Sequence, residues 1–249
     1  DVPGENRIGI VFDDQPLFAD HKVRYEGDCI AVVGAHAPDQ AQRASELVEV
    51  VYENLPQVAS IEEAEKPGSP PIHEGGNVAL VRNLTKGDIE SGRKQSEIII
   101  KETFHFPPQE HAYMETLGCL VIPNGDQSVE VLVPAQCPFY VREAVARCLG
   151  TPLSKVRVVQ LPIGGGFGGK EDVPSEICAR AAVLAIRAQR PVKLVLSREE
   201  DILYSSKRHP MIITVEMGCR KDGSLTFANI HIKACLLYTS DAADEGLGV

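Results

Sequence analysis

The chain reads as an α+β protein with mixed α/β connections, on three observations. Apolar runs of strand length alternate with longer stretches of helical apolar spacing, a Pro/Gly-rich break follows residue 65, and a glycine-dense loop joins a strand to a helix. In order, Cys29 to Ala35 reads as a strand. Asp39 to Val48 reads as a helix that turns Ala41, Ala44, Leu47 and Val48 inward, and Val50 to Glu53 as a return strand. Pro67, Gly68, Pro70, Pro71, Gly75 and Gly76 obstruct regular structure, so residues 67–80 are expected to link a unit over 1–66 to a larger one over 81–234. Strands are predicted at Ser96 to His105, Gly118 to Ile122 and Val129 to Val133, then a helix from Pro138 to Leu149 closed by Gly150. Val156 to Leu161 is the strand before the glycines. Val173 to Gln189 is the helix after them, with Ile177, Ala181, Leu184 and Ala188 on its apolar face. A strand at Pro191 to Leu196 and a hairpin of Ile212 to Gly218 with Leu225 to Ile232, turning at Lys221-Asp222-Gly223, complete the list.

Composition narrows the function. The 249 residues are 43% hydrophobic, enough to bury a sizeable core, and 25 Lys and Arg face 35 Asp and Glu for a net charge of −10. That balance argues against nucleic acid, whose phosphates call for clustered cations. No run approaches the roughly 20 apolar residues of a membrane helix, and the start lacks a signal pattern, so a cytoplasmic protein is expected. Seven scattered cysteines without a C-x-x-C pair suit neither a zinc site nor an iron–sulfur cluster.

The stretch Gly164-Gly165-Gly166-Phe167-Gly168-Gly169-Lys170-Glu171 nearly spells a nucleotide-binding P-loop. Gly164, Gly169 and Lys170 fit G-x-x-x-x-G-K, but the next position needs a Ser or Thr hydroxyl for Mg²⁺ and holds Glu171. A carboxylate beside a triphosphate is repulsive, so an NTPase is disfavoured. Glycines without Cβ atoms still let the backbone press against a ligand, and the helix start that follows is expected to present N–H groups to an anion or oxo group. A tightly turned strand-to-helix connection with no ligand is the plainer alternative.

This loop, Gly164 to Asp172, resembles that of the molybdenum hydroxylases, the xanthine dehydrogenase and aldehyde oxidase family, in their molybdopterin-binding large subunit. Gln109-Glu110-His111-Ala112-Tyr113-Met114-Glu115, Arg190-Pro191-Val192-Lys193, Ser197-Arg198-Glu199-Glu200 and Lys207-Arg208-His209-Pro210 resemble the same family in order and spacing. Asn6-Arg7-Ile8-Gly9, Asp14-Gln15-Pro16 and Val23 to Asp28 resemble the end of its α/β hammerhead domain. The resemblance implies a hammerhead end over 1–66 and the first part of the molybdopterin domain over 81–234. Residues 235–249 (CLLYTSDAADEGLGV) depart from the family and resemble translated adapter DNA.

Roles follow from the resemblance, residue by residue. Gln109, Gly166, Phe167 and Gly168 are expected to bind the molybdenum–molybdopterin cofactor, and Glu171 with Phe167 the substrate. No catalytic residue is expected here, because the family's base glutamate lies further along the large polypeptide. The implied reaction hydroxylates a purine such as xanthine or hypoxanthine with water-derived oxygen. Electrons would then pass to 2Fe-2S clusters and FAD on partner chains or other parts of the protein. The same scaffold also serves aldehydes and other N-heterocycles, and a non-catalytic assembly module is a third reading. The chain is expected to be a fragment, inactive alone.

Overall fold

The computed structural model describes residues 2–9 and 14–236. Its elements are α1 (Pro38–Glu46), α2 (Ile61–Ala64), α3 (Ile89–Lys94), β1 (Ile98–Phe106), β2 (Gly118–Pro123), β3 (Val129–Val133), α4 (Pro138–Leu149), β4 (Val156–Gln160), α5 (Val173–Ala188), β5 (Val192–Val195), α6 (Arg198–Tyr204), β6 (Met211–Cys219) and β7 (Leu225–Ala234). The fold is mixed α and β, as the sequence predicts. Two compact units divide the described residues: 2–9, 14–53 and 110–207 form the first, and 54–109 with 208–236 the second.

The first unit carries a sheet in the order β4-β3-β2-β5. β3 and β4 are parallel, and the connection between them contains α4, the crossover helix that parallel neighbours require. The other two pairings are antiparallel. Val129, Val131 and Val133 alternate inward along β3 and meet the apolar faces of α4 and α5. Ala179, Ala181, Ala182 and Ala185 are buried on α5, and their small side chains bring that helix close to the sheet. Gly150 ends α4 in the left-handed conformation at φ +65°, the C-cap expected of it.

In the second unit β1, β6 and β7 form an antiparallel sheet. The hairpin lies within two residues of its predicted span, and Gly223 takes φ +86° in its turn. α3 lies against β7, where a Cβ on Gly92 would sit 2.5 Å from the Thr226 carbonyl oxygen. Arg93 forms a fork with the Glu216 carboxylate and stacks over Phe227, 4.9 Å from the ring centre.

Three sequence expectations fail. None of Ala41, Ala44, Leu47 and Val48, expected to turn inward, is buried, and Leu47, just past the end of α1, is 81% exposed. Residues 29–35 and 50–53 form no strand, because a ladder needs a partner and none of the described residues pairs with them. Val51 is 97% exposed accordingly. The short helices α2, α3 and α6 are not among the expected elements, although all three carry legible caps, Ser60 accepting from the Glu63 N–H at the start of α2. Asp88 accepts from the Glu90 and Ser91 N–H groups, and Ser197 forms a capping box with Glu200. The departing sequence of 235–249 lies almost wholly outside the described residues. Among those described, no helix is long and apolar enough to cross a membrane.

Candidate functional site

The glycine loop occupies the step from β4 to α5 in the first unit, and two side chains grip it from beneath. Glu115 Oε2 accepts from the Gly164 N–H at 2.8 Å and from Lys170 Nζ at 2.7 Å. Gln136 Oε1 accepts from the Gly168 and Lys170 N–H groups at 3.2 and 3.1 Å, and the Gln136 N–H donates to the Lys170 carbonyl at 2.7 Å. Since both partners of the amide are donors, the atom facing them is its oxygen. The loop also closes on itself through Gly169 N–H to the Gly166 carbonyl, 2.8 Å.

Absence of side chains is what permits this grip. A Cβ on Gly164 would lie 2.5 Å from Glu115 Cβ, one on Gly166 2.5 Å from Gln136 Oε1, and one on Gly169 2.8 Å from both His111 Cγ and Tyr113 Cε1. Gly168 differs, with φ +90° and nothing nearer its missing Cβ than His111 Nε2 at 3.9 Å. The inner glycines are therefore packing requirements, and Gly168 is a conformational one on an open side.

Phe167 is the exception to ordinary backbone preference. It takes φ +53°, a conformation costing a bulky residue on the order of 1 kcal/mol, and its ring is 78% exposed. A phenyl group held in strain and pointed at solvent contributes nothing to the core. The N–H groups of Gly165, Gly166 and Phe167 have no acceptor among the described residues. Glu171 is exposed and has no ion pair among them.

The start of α5 does not serve as the expected anion site. Asp172 caps it with its own carboxylate on the Val173 N–H, Pro174 has no N–H, and the Ser175 N–H donates to the Asp172 carbonyl. Glu171 stands one residue before this cap and makes no capping hydrogen bond to the helix. The available donors are in the loop itself.

Beneath the loop lies a polar layer that sequence reasoning did not assign. Lys170 is fully buried, and its ammonium sits 4.7 Å from the centre of the Tyr113 ring. Burial alone would raise the Glu115 carboxyl, but Lys170 and the Gly164 N–H hold it below the ordinary carboxylate range. Tyr113 donates its hydroxyl to Asp201 Oδ1 at 2.8 Å, and Asp201 Oδ2 accepts from the Leu117 N–H at 2.8 Å. Burial, and then Asp201, raise the Tyr113 phenol. Arg198 ties the Tyr113 and Met114 carbonyls at 2.8 and 2.7 Å. Glu110 pairs with Lys207 at 2.7 Å, whereas His111 Nδ1 is buried without a partner among the described residues. No sequence signal marked Gln136; its neighbour Pro138 announces only the helix.

Of the residues singled out in the sequence, Gly166, Phe167 and Gly168 come together in one turn, with Glu171 three positions on. Gln109 belongs to the second unit, exposed, where it exchanges two backbone hydrogen bonds with Arg208 at 3.2 and 3.0 Å.

Residues 72–245 match the molybdopterin cofactor-binding domain model, and residues 1–56 match the aldehyde oxidase and xanthine dehydrogenase a/b hammerhead domain model. The chain belongs to the molybdenum hydroxylase family. It is 39% identical to a probable xanthine dehydrogenase component of Bacillus subtilis (strain 168), covering 94% of this chain and 31% of the relative. Against the nicotinate dehydrogenase large molybdopterin subunit of Eubacterium barkeri it is 38% identical, over 93% of this chain and 54% of the relative. The aldehyde oxidoreductase structure from Desulfovibrio gigas superposes with a TM-score of 0.82 at 27% identity, covering 90% of this chain and 26% of that one. The chain thus spans about a quarter to a half of these molybdenum hydroxylases' lengths. Its loop, by spacing a near P-loop, is part of a molybdopterin domain.

Proposed function

We propose that this chain contributes the first wall of the cofactor and substrate site in a molybdenum hydroxylase that oxidises purines. The observation that carries the reading is the loop's outward face: three consecutive N–H groups without acceptors among the described residues, an exposed strained Phe167 and an unpaired Glu171, all on a backbone fixed from behind. The molybdenum–pterin group fits these residues, since oxo and sulfur-type ligands need donors and Gly168 leaves room for close approach. When bound, that group supplies oxidation of an electron-poor carbon with water-derived oxygen.

The protein's part is orientation. Gly165, Gly166 and Phe167 would present N–H groups to the cofactor, Phe167 also a shaping ring, and Gly168, whose N–H is held by Gln136, an uncrowded backbone. Glu171 would accept a hydrogen bond from a heterocycle N–H, with Phe167 against the ring face, fixing which carbon is offered. The proton-abstracting base would come from residues of the complete enzyme beyond this chain. Iron–sulfur and flavin groups on partner chains or further domains would take the electrons, and a cytoplasmic setting suits that chemistry.

A second reading has direct support: relatives named for nicotinate and aldehyde oxidation resemble this chain about as well as those named for xanthine. A substrate panel on the complete enzyme separates the two. Hypoxanthine and xanthine should be turned over with the highest kcat/KM, and Glu171→Ala should lower that value by about 10²-fold, the scale of losing one charge-assisted contact, with molybdenum still bound. Preference for an aldehyde or nicotinate, or purine turnover indifferent to Glu171, would sink the purine assignment.

A further inference from the structure

Lys170 stands where a P-loop lysine would reach for phosphate, yet it is fully buried and turned away from the loop's open side. Four contacts hold it: Glu115 Oε2 at 2.7 Å, the Tyr113 ring at 4.7 Å, and both halves of its peptide on Gln136. Glu115 spends the same oxygen on the Gly164 N–H, and Gln136 spends its oxygen on the Gly168 N–H. Lys170 is therefore the one residue shared by the grips at the two ends of the loop. Lys170 is buried and the Glu115 side chain 40% exposed. Such a pair is a weak source of stability, because desolvation of the ammonium and solvent screening of the carboxylate offset the attraction, so its value must lie elsewhere. What it does uniquely is fix the separation of Gly164 and Gly168, between which Gly165, Gly166 and Phe167 are suspended.

We infer that Lys170 and Glu115 form a positioning pair for the reaction. The pair touches neither cofactor nor substrate, and it sets the placement of the Phe167 ring and the three free N–H groups through the loop backbone. The inference rests on the proposed cofactor-facing role of that loop. Removing the ammonium leaves Glu115 without its counter-ion, and the carboxylate then recruits water or turns outward, freeing the Gly164 N–H and leaving Gly164 only the weaker backbone bond from the Glu115 N–H to its carbonyl, 3.2 Å. Removing both charges with Lys170→Met and Glu115→Leu restores an apolar layer but leaves the side-chain tether on the Gly164 N–H missing.

The test uses the complete, molybdenum-loaded enzyme and reads pterin content, thermal midpoint, kcat and KM. Lys170→Met should lower kcat at least 30-fold per bound pterin with KM changed less than about threefold, a pattern of lost transition-state placement. Lys170→Arg, which keeps the charge, should recover most of that loss. The decisive variant is Lys170→Met/Glu115→Leu, expected to regain the wild-type thermal midpoint while kcat per pterin stays at least 30-fold down. Recovery of kcat together with stability would reduce the pair to a structural one and overturn the inference. So would unchanged kcat per pterin in Lys170→Met. A wild-type enzyme without pterin would defeat the cofactor reading, and this inference with it. Wild-type loading with an indifferent Lys170 would defeat the inference alone.

Discussion

Replacing Gln136 by Met removes the grip on the loop's far end while nearly conserving volume. Gln136 Oε1 is the acceptor for two N–H groups, and of their residues Lys170 is buried whereas Gly168 is exposed. A buried donor left unsatisfied costs about 1–3 kcal/mol, and an exposed one much less because water replaces the partner. The sum is about 1–3 kcal/mol. For a chain of this size that corresponds to a fall in the midpoint of roughly 2–12 °C for the unit carrying α5. Because the two units need not unfold together, hydrogen exchange of α5 amides during the thermal ramp is the appropriate assay. Gln136→Glu keeps an acceptor oxygen and should cost less than about 1 kcal/mol, gaining from charge-assisted bonds what it loses in desolvation. Should Gln136→Met stay within about 0.5 kcal/mol of wild type, or Gln136→Glu fall as far as Met, the bidentate clamp would not be what holds the loop.

Other expectations follow from the same layer. Asp201→Ala leaves the buried Leu117 N–H without a partner and the Tyr113 hydroxyl with Ser205 alone, so a loss of about 2–3 kcal/mol is expected in urea unfolding, against about 1 kcal/mol or less if the layer is water-filled. Gly169→Ala forces two rings apart and should destabilise by about 1–3 kcal/mol, whereas Gly168→Ala should cost only the backbone strain of about 1 kcal/mol; equal costs would contradict the packing described. Burial pushes the Glu176 carboxyl up to about 7, against the pull of Arg180 and the Tyr204 hydroxyl. A raised folded pKa means its favourable contribution is complete below the unfolded value and is lost as pH rises through 7. Glu176→Gln should therefore flatten the stability profile between about pH 4.5 and 7. An unchanged slope would show that the carboxyl stays ionised there.

Much of this was legible because the physical signals are local. β3 alternates valines, α4 has Gly150 at its end, and the hairpin has Lys221-Asp222-Gly223 at its tip, so period and turn chemistry sufficed. Residues 29–35 look like a strand by the same rule and are not one, since pairing is a nonlocal event that composition does not report. α6 announces itself through Ser197 and Glu200, but seven residues give too little periodicity to register as a helix. At the site, the glycines and Phe167 stand out as residue types. Glu115, Gln136 and Asp201 do not, because their importance arises from segments distant in sequence converging beneath one loop. The helix start was expected to receive an anion, and Asp172 occupies it instead.

The central claim is that the outward face of this loop meets a molybdenum–pterin group through backbone donors. Amide hydrogen exchange of the complete enzyme, with the cofactor present and after its removal, addresses that face directly. Protection confined to Gly165, Gly166 and Phe167 when the cofactor is bound is the expected result, with the already tethered Gly164 and Lys170 amides changing little. Exchange at those three amides that is the same with and without cofactor would contradict the account.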